Sequence, residues 1–195
     1  MNTMSAGERR QQIARTAAEL FEQRGYYRSG VDDIAEAVGV AKPTLYHYLG
    51  SKADIVAIIH EDVVGRLAAR LEHDTARKAD PRVALREFAA GTLEVLETKT
   101  GFLRVAYENQ LELPKTVRGE AQRKRDRIEE LVQVQIEEGI RRGIFRETNS
   151  RLAALFFLGM INWSYHWYRP GEEFSPGEVC EHVMSIFLDG VAVRV

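Results

Sequence analysis

Helix start and stop signals recur along almost the whole sequence, and they constrain the fold more than any other feature. Ser5-Ala6-Gly7-Glu8 has the spacing of a capping box, and the apolar positions behind it end at Gly25, which favours a left-handed helix stop. Ser175-Pro176-Gly177-Glu178 combines a second box with proline at the first helical position. Apolar residues recur with helical periodicity between these points, and strand-like alternation is absent. The sequence therefore predicts an all-α protein of about nine helices.

Capping and breaking residues divide the rest of the chain. Short helices are predicted over 31–38 and 42–49, and a long helix is predicted to begin after Ser51 and to run to roughly Leu71. Further boundaries fall at Ser29, Gly39, Asp80-Pro81, Gly101, Pro114, Gly143, Asn149 or Ser150, and Arg169-Pro170-Gly171. We therefore expect an N-terminal three-helix domain over 1–52 and a larger C-terminal helical domain over 53–195.

Composition narrows the class of protein. The 195 residues contain no apolar run near the ~20 residues that a membrane span requires, and the first ten residues lack the apolar stretch of a signal peptide. Cys180 is the single cysteine, which excludes an intrachain disulfide, so we expect a cytoplasmic protein that does not enter a membrane. The net charge is −2, and residues 1–52 carry seven Lys and Arg against six Asp and Glu. Any surface that binds nucleic acid must therefore arise from where the cations lie.

Residues 31–49 fit a helix-turn-helix, a motif in which two short helices cross over a tight turn. The small residue Ala35 falls where the helices meet, and Gly39 falls at the turn, where a side chain is costly. The shared core is predicted to consist of Ile34, Val38, Val40 and Leu45. The second helix begins with Lys42-Pro43-Thr44-Leu45-Tyr46-His47-Tyr48, which presents a cation, a hydroxyl and polar rings. These groups can contact phosphates and base edges in a major groove.

The order Gly25, Val31, Ile34-Ala35, Gly39-Val40, Thr44-Leu45-Tyr46-His47-Tyr48 and Ser51-Lys52 resembles the DNA-binding domain of the TetR family of transcriptional regulators. The resemblance implies that the third helix reads DNA and that its DNA-contacting positions are Lys42, Pro43, Thr44, Tyr46, His47 and Tyr48. It also implies that Lys52 binds a phosphate, and the chemistry agrees because a helix N-terminus and an ammonium both attract an anion. In the alternative reading Tyr48 is partly a core residue, and Tyr46 and His47 are ordinary surface residues. Leu49 departs from the family, which usually has an aromatic residue there.

The same resemblance implies a two-fold homodimer on a palindromic operator, built from the last two long helices of each chain. The predicted apolar faces of these helices consist of Leu152, Leu155, Phe156, Gly159 and Trp163, with Val179, Val183, Ile186, Phe187 and Gly190. They offer more apolar surface than one intrachain contact needs. The alternative is that both helices pack only inside their own chain.

The C-terminal domain is expected to enclose a small apolar effector. The candidate ligand-binding residues are Leu67, Phe88, Phe102, Leu103, Tyr107, Phe156, Met160 and Trp163, and the alternative is that they are plain core. The segment from Met160 to Gly171 resembles the TetR branch that senses acyl-CoA thioesters. The phosphates of CoA would need cations, for which the candidates are Arg104, Arg118, Arg123, Lys124, Arg125 and Arg127. In the alternative reading the run from Arg118 to Arg127 is a solvated face paired with Glu120, Glu129 and Glu130.

The function that these features predict is that of a ligand-responsive repressor, which binds double-stranded operator DNA and is released by its effector. A helical enzyme is the first rival, but the five histidines lack the Glu-x-x-His spacing of di-iron bundles, and no phosphate-binding glycine loop occurs. Cys180 lies in an apolar helical pattern that is typical of a packing residue. We therefore expect no catalytic residue, no metal and no cofactor. The second rival, a helical adaptor for protein partners, leaves the cluster from Lys42 to Lys52 unexplained.

Overall fold

The computed structural model describes residues 4–99 and 101–191, and within these ranges the chain forms helices and turns without a β-strand. The helices are α1 (Ala6–Arg24), α2 (Val31–Val38), α3 (Lys42–Tyr48), α4 (Lys52–His60), α5 (Arg66–Ala76), α6 (Pro81–Thr98), α7 (Phe102–Glu108), α8 (Lys115–Arg141), α9 (Ser150–Asn162), α10 (Ser164–Trp167) and α11 (Pro176–Val191). The all-α prediction is confirmed. No helix in the described ranges is both long and apolar enough to cross a membrane.

The predicted capping boxes lie at the starts of the first and last helices. The Glu8 amide donates to Ser5 Oγ at 3.2 Å, and the Ser5 amide donates back to the Glu8 carboxylate at 2.7 Å. Ser175 and Glu178 make the same reciprocal pair before α11, at 3.2 and 2.8 Å. Gly25 ends α1 with φ 84°, and its amide donates to the Phe21 carbonyl. Local sequence signals therefore set these helix boundaries.

The helix that follows Ser51 is longer than expected. It continues from α4 through a π-helical turn, Glu61–Gly65, into α5 and ends at Ala76 rather than near Leu71. Leu71 is the last buried residue of α5, so the apolar periodicity stops one turn before the helix does. Asp62 in the π turn is buried, and the Lys99 ammonium forms an ion pair with its carboxylate.

Two predicted helices are interrupted. The segment between the predicted boundaries at Asn149 or Ser150 and at Arg169 tightens at Trp163, where the His166 amide donates to the Trp163 carbonyl, and this separates α9 from α10. Neither a proline nor a glycine marks that point in the sequence. The segment between the predicted boundaries at Gly101 and Pro114 likewise divides into α7 and a 3-10 turn, Gln110–Glu112.

The chain forms two compact units. The first comprises Met1–Val64 with Lys99–Gln122, and the second comprises Gly65–Thr98 with Arg123–Val195. In the first unit α1 packs against α2, α4 and α7 through buried apolar residues that include Ile13, Ala17, Ile34, Ile55, Ile59 and Phe102. Gly101 permits the close approach of α7 to α1, because a Cβ there would lie 2.5 Å from the Ala18 carbonyl oxygen. In the second unit α6 packs against α5, α9 and α11, and the buried residues include Leu71, Leu85, Leu93, Ile136, Phe157 and Met184.

Candidate nucleic-acid interface and effector site

The turn between α2 and α3 fixes the second helix of the motif on the first. Gly39 has φ 73° and ψ 38°, the left-handed conformation that favours glycine, and its amide donates to the Glu36 carbonyl at 3.0 Å. The Val40 amide donates to the Ala35 carbonyl at 2.9 Å. Leu45, which is 3% exposed, anchors α3 in the core of the first unit. The geometry is that of a helix-turn-helix, as the sequence predicts.

One face of α3 carries most of the predicted DNA-contacting side chains. Lys42, Pro43, Thr44, Tyr46 and His47 are exposed, whereas Tyr48 is half-buried. The rings of His47 and Tyr48 meet edge to face, with their centres 5.2 Å apart. The exposed groups include an ammonium, a hydroxyl, a phenol and an imidazole, which can donate to phosphates or to base edges. The structure thus brings these candidates together on a short, anchored helix.

An ion pair joins the start of α3 to α2. The Lys42 ammonium lies 2.9 Å from Asp32 Oδ1 and donates to Oδ2 at 3.0 Å, so that it bridges both oxygens of the carboxylate. The Asp32 hydrogen bond, reinforced by its charge, raises the pKa of Lys42. Both side chains remain exposed. The sequence does not reveal Asp32 as part of this surface, because the pairing depends on the crossing of the two helices.

The other end of α3 is held by α1. The Arg10 guanidinium donates through Nε to the Tyr48 carbonyl at 3.0 Å, and this satisfies a carbonyl at the C-terminus of the helix. A cation also complements the negative end of the helix dipole. Arg10 lies 38 residues before Tyr48 in the chain, so no local sequence signal predicts the contact.

Lys52 begins α4 and is tied to the turn after α1. Its ammonium donates to the Tyr26 carbonyl and lies 3.8 Å from the centre of the Tyr26 ring. Burial lowers the pKa of Lys52, and burial raises the pKa of Tyr26 to about 12. The Ser51 amide donates to the Asp54 carboxylate at 2.9 Å at the start of α4. Lys52 therefore links α4 to the turn between α1 and α2 within the first unit.

The candidate effector residues fall into two groups. Leu67 and Phe88 are buried in the second unit, and the Phe88 ring centre lies 6.2 Å from that of Phe157. Phe102 and Leu103 are buried in the first unit, where Tyr107 is half-buried. The remaining candidates lie on α9 and at its C-terminal cap: Met160 is half-buried, Phe156 is 67% exposed, and the cap residue Trp163 is 61% exposed. The structure thus separates interior candidates from candidates on an outer face.

That outer face is apolar and continues onto α11. Its exposed residues are Leu152, Leu155, Phe156, Gly159, Trp163, Ile186 and Gly190, and Val183 is half-buried beside them. An open groove of about 310 Å³ on this face is lined in part by Phe156, Met160 and Ile186. Val179 and Phe187, also predicted for the face, are instead buried in the second unit. We call the exposed set the α9/α11 face.

The candidate phosphate-binding cations Arg104, Arg118 and Arg127 make the following contacts within the protein. Arg104 pairs with Glu22 and Glu108 at 2.8 and 3.0 Å. The Arg118 guanidinium donates to the carbonyls of Leu111 and Leu113 beside the 3-10 turn. Arg127 pairs with Glu72 at 3.0 Å and with Glu130 at 2.7 Å, which fits the alternative reading of a solvated, paired face.

Two family models match the chain. Residues 13–59 match the model for bacterial regulatory proteins of the tetR family, and residues 78–191 match that for the tetracyclin repressor-like C-terminal domain. The chain is 28% identical to the HTH-type transcriptional repressor KstR2 of Rhodococcus jostii over 193 residues, 98% of this chain and 95% of that protein. The chain therefore belongs to the TetR family, whose members are transcriptional regulators with an N-terminal helix-turn-helix.

Solved structures agree with this placement. The TetR family regulator PfmR from Thermus thermophilus is 31% identical, with a TM-score of 0.83 over 94% of this chain and 99% of PfmR. AibR, solved in complex with isovaleryl coenzyme A and operator DNA, shares the fold at 20% identity, with a TM-score of 0.78 over 92% of this chain and 97% of AibR. The family and the relatives that the chain resembles are transcriptional regulators rather than enzymes.

Proposed function

We propose that the protein is a ligand-responsive transcriptional repressor that binds a palindromic operator as a homodimer and acts in the cytoplasm. The observation that carries this proposal is the exposed polar face of α3, held on a buried Leu45 and joined to α2 through the left-handed Gly39. An anchored helix that presents donors and acceptors outward is what major-groove reading requires. The repressor KstR2, similar over almost the whole chain, supports repression as the activity.

The DNA-contacting residues divide by chemistry. Lys42 and Lys52 are proposed to contact phosphates, which position the protein but carry no sequence information. Thr44, Tyr46 and His47 are proposed to reach base edges, since their side chains leave the exposed face of α3. Pro43 offers an apolar surface to a thymine methyl, and the half-buried Tyr48 contributes an edge at the end of the helix.

The proposed dimer uses the α9/α11 face. A contiguous set of exposed apolar side chains is uncommon on a monomer and marks an interface. Two-fold symmetry would make the contact isologous and would present two copies of α3 to successive major grooves, about 34–36 Å apart. This spacing would match half-sites separated by about one helical turn of DNA.

The proposed effector is an acyl-CoA thioester. Two observations support this class: the segment from Met160 to Gly171 resembles that of acyl-CoA-sensing regulators, and AibR, which has the same fold, binds isovaleryl coenzyme A. The interior candidates for contact with the acyl chain are Leu67 and Phe88 in the second unit, and Phe102, Leu103 and Tyr107 in the first. Phe156, Met160 and Trp163 remain candidates for contact with the effector at the groove of the α9/α11 face, which Phe156 and Met160 line.

The proposed control is a coupling between effector and operator. If the effector binds better to a form whose two α3 helices no longer match the operator, it shifts the population toward that form and the DNA is released. The chain enters the second unit through the π turn Glu61–Gly65, so we expect residues near Leu67 to act on Lys52 along this helical segment.

CoA thioesters are expected to raise the melting temperature of the protein and to dissociate it from its operator, whereas the corresponding free acids do neither. Saturating ligand at about 100 times Kd would stabilise the fold by about 2.7 kcal/mol. Thermal-shift and gel-shift titrations with matched thioester and acid pairs measure both effects. A response to free acids alone would remove CoA from the proposal and leave the DNA-binding part intact.

A further inference from the structure

We propose that Asp32 is an intramolecular competitor of the DNA phosphate. In the free protein its carboxylate holds the Lys42 ammonium, and on DNA binding Lys42 exchanges this carboxylate for a backbone phosphate. Asp32 thereby lowers the affinity of the DNA-reading surface for every duplex. The inference rests on the proposed function, because it assigns a role to one ion pair on the surface proposed to bind DNA.

In the ion pair, the Asp32 carboxylate occupies the position beside the Lys42 ammonium that a phosphate would take. The ammonium lies 2.9 and 3.0 Å from the two oxygens of Asp32, as it would lie against two oxygens of a phosphate. Lys42 is the first residue of α3 and its side chain is 48% exposed, so a phosphate at the start of that helix can reach it. The carboxylate and a phosphate therefore compete for one cation at one place.

Structural roles for Asp32 are weak. The capping function at the start of α2 belongs to Asp33, whose carboxylate accepts the Gly30 amide at 2.6 Å. The Asp32 side chain is 77% exposed, and ion pairs between exposed groups contribute little to folding stability. A carboxylate at the edge of a surface proposed to bind DNA nevertheless repels the phosphates and lowers the affinity for DNA.

Two other cations of the first unit, Lys52 and Arg10, have neutral hydrogen-bond acceptors, whereas Lys42 has a charged one. Lys52 and Arg10 donate to the backbone carbonyls of Tyr26 and Tyr48, which are neutral and do not repel a phosphate. Lys42 is held by a full negative charge, and this charge stays behind when the ammonium moves to DNA. Replacing the intramolecular acceptor by a DNA phosphate therefore costs more free energy at Lys42 than at Lys52 or Arg10.

Asp32→Asn is expected to raise the affinity for the operator and for an unrelated duplex by the same factor, about two- to fivefold, which corresponds to the loss of one exposed ion pair. The increase in affinity should be the same for the two duplexes because a phosphate contact carries no sequence information. The salt dependence should steepen by up to about 0.9 in the slope of log K against log salt, the value of one phosphate. Fluorescence anisotropy with labelled duplexes, at several salt concentrations, measures both quantities.

Glu36→Gln is the matched control, because Glu36 is exposed one turn further along α2 and the substitution changes the net charge equally. It should raise the affinity less than Asp32→Asn, since only a long-range repulsion is removed. Lys42→Gln should weaken binding and flatten the salt slope by the part of the one-phosphate value, about 0.9, that Asp32 does not already offset in the unchanged protein. Asp32→Asn should no longer steepen the salt slope in the Lys42→Gln background, because the competing cation is gone.

Three results would overturn the inference. If Asp32→Asn weakens binding, the pair positions α3 rather than competing with DNA. If it acts no more strongly than Glu36→Gln, the pair has no special role. If it raises the affinity for the operator alone, Asp32 affects base reading rather than a phosphate contact. Absence of operator binding by the unchanged protein would instead refute the proposed function, and that result is read from the wild-type titration alone.

Discussion

Tyr46→Ala is expected to lower the affinity for operator DNA by about 10- to 100-fold, in line with the ~1–3 kcal/mol that a good base contact contributes. The side chain of Tyr46 is 47% exposed on α3, so its removal costs the folded protein little packing. The monomer–dimer equilibrium and the effector-induced rise in melting temperature should remain unchanged. Anisotropy titration, sedimentation velocity and thermal shift measure these three properties separately.

Phe174→Ala is a suitable control, because Phe174 has the same 47% exposure but lies in the second unit. It should leave operator affinity unchanged. Tyr46→Phe separates the contribution of the hydroxyl from that of the ring, since it keeps the aromatic surface and removes the hydrogen bond. A Tyr46→Ala protein that binds the operator normally, or that no longer forms dimers, would contradict the role assigned to α3.

Phe156→Glu is expected to convert the dimer to monomers and to abolish operator binding at the same protein concentrations. Phe156 is 67% exposed at the centre of the α9/α11 face, so the free chain tolerates a charge there. In a dimer the same carboxylate would be buried against apolar side chains of a second copy, which costs several kcal/mol without a partner. Sedimentation equilibrium gives the oligomeric state, and circular dichroism shows that the helices remain.

Leu111→Glu provides the comparison for this variant, because Leu111 is 79% exposed and lies in the first unit, outside the α9/α11 face. It introduces the same charge and should leave the dimer intact. A Phe156→Glu protein that stays dimeric would place the interface on another surface. A monomer that still binds a palindromic operator tightly would remove dimerisation from the proposed mechanism.

Local sequence signals account for the helix boundaries that the sequence predicts correctly. Ser5 with Glu8, and Ser175 with Glu178, mark helix starts because each box is complete within four consecutive residues. The left-handed Gly39 identifies the turn of the helix-turn-helix in the same way. Features of this kind need no knowledge of the tertiary fold, so the helix boundaries that depend on them are confirmed.

Contacts between residues of different helices cannot be predicted from such local signals. Lys42 meets Asp32 only because the turn at Gly39 crosses the two helices, and Arg10 reaches the Tyr48 carbonyl from a separate helix. Neither pair has a spacing within one helix that could be read from the sequence. The pairing of Asp32 with Lys42 therefore becomes visible only in the structure.

Where a helix is apolar on several sides, apolar periodicity also cannot predict which of its residues face the core. Phe156 and Phe157 are neighbours of the same type in α9, yet Phe156 is 67% exposed and Phe157 is fully buried. Because α9 carries large apolar residues toward both the core and the outer face, composition cannot assign them to an effector pocket or to an interface. The separation of interior candidates from the α9/α11 face requires the three-dimensional placement of each side chain.

The most direct test of a DNA-reading regulator is titration of the purified wild-type protein against duplex DNA from the region upstream of its own gene, at a series of salt concentrations. We expect saturable binding of one two-fold dimer per palindromic site, with log K falling linearly with log salt by about 0.9 for each phosphate contacted. Binding to an unrelated duplex should be much weaker at the same salt concentration. Absence of saturable binding even at low salt, or equal affinity for both duplexes, would contradict the assignment of α3 as a DNA-reading helix.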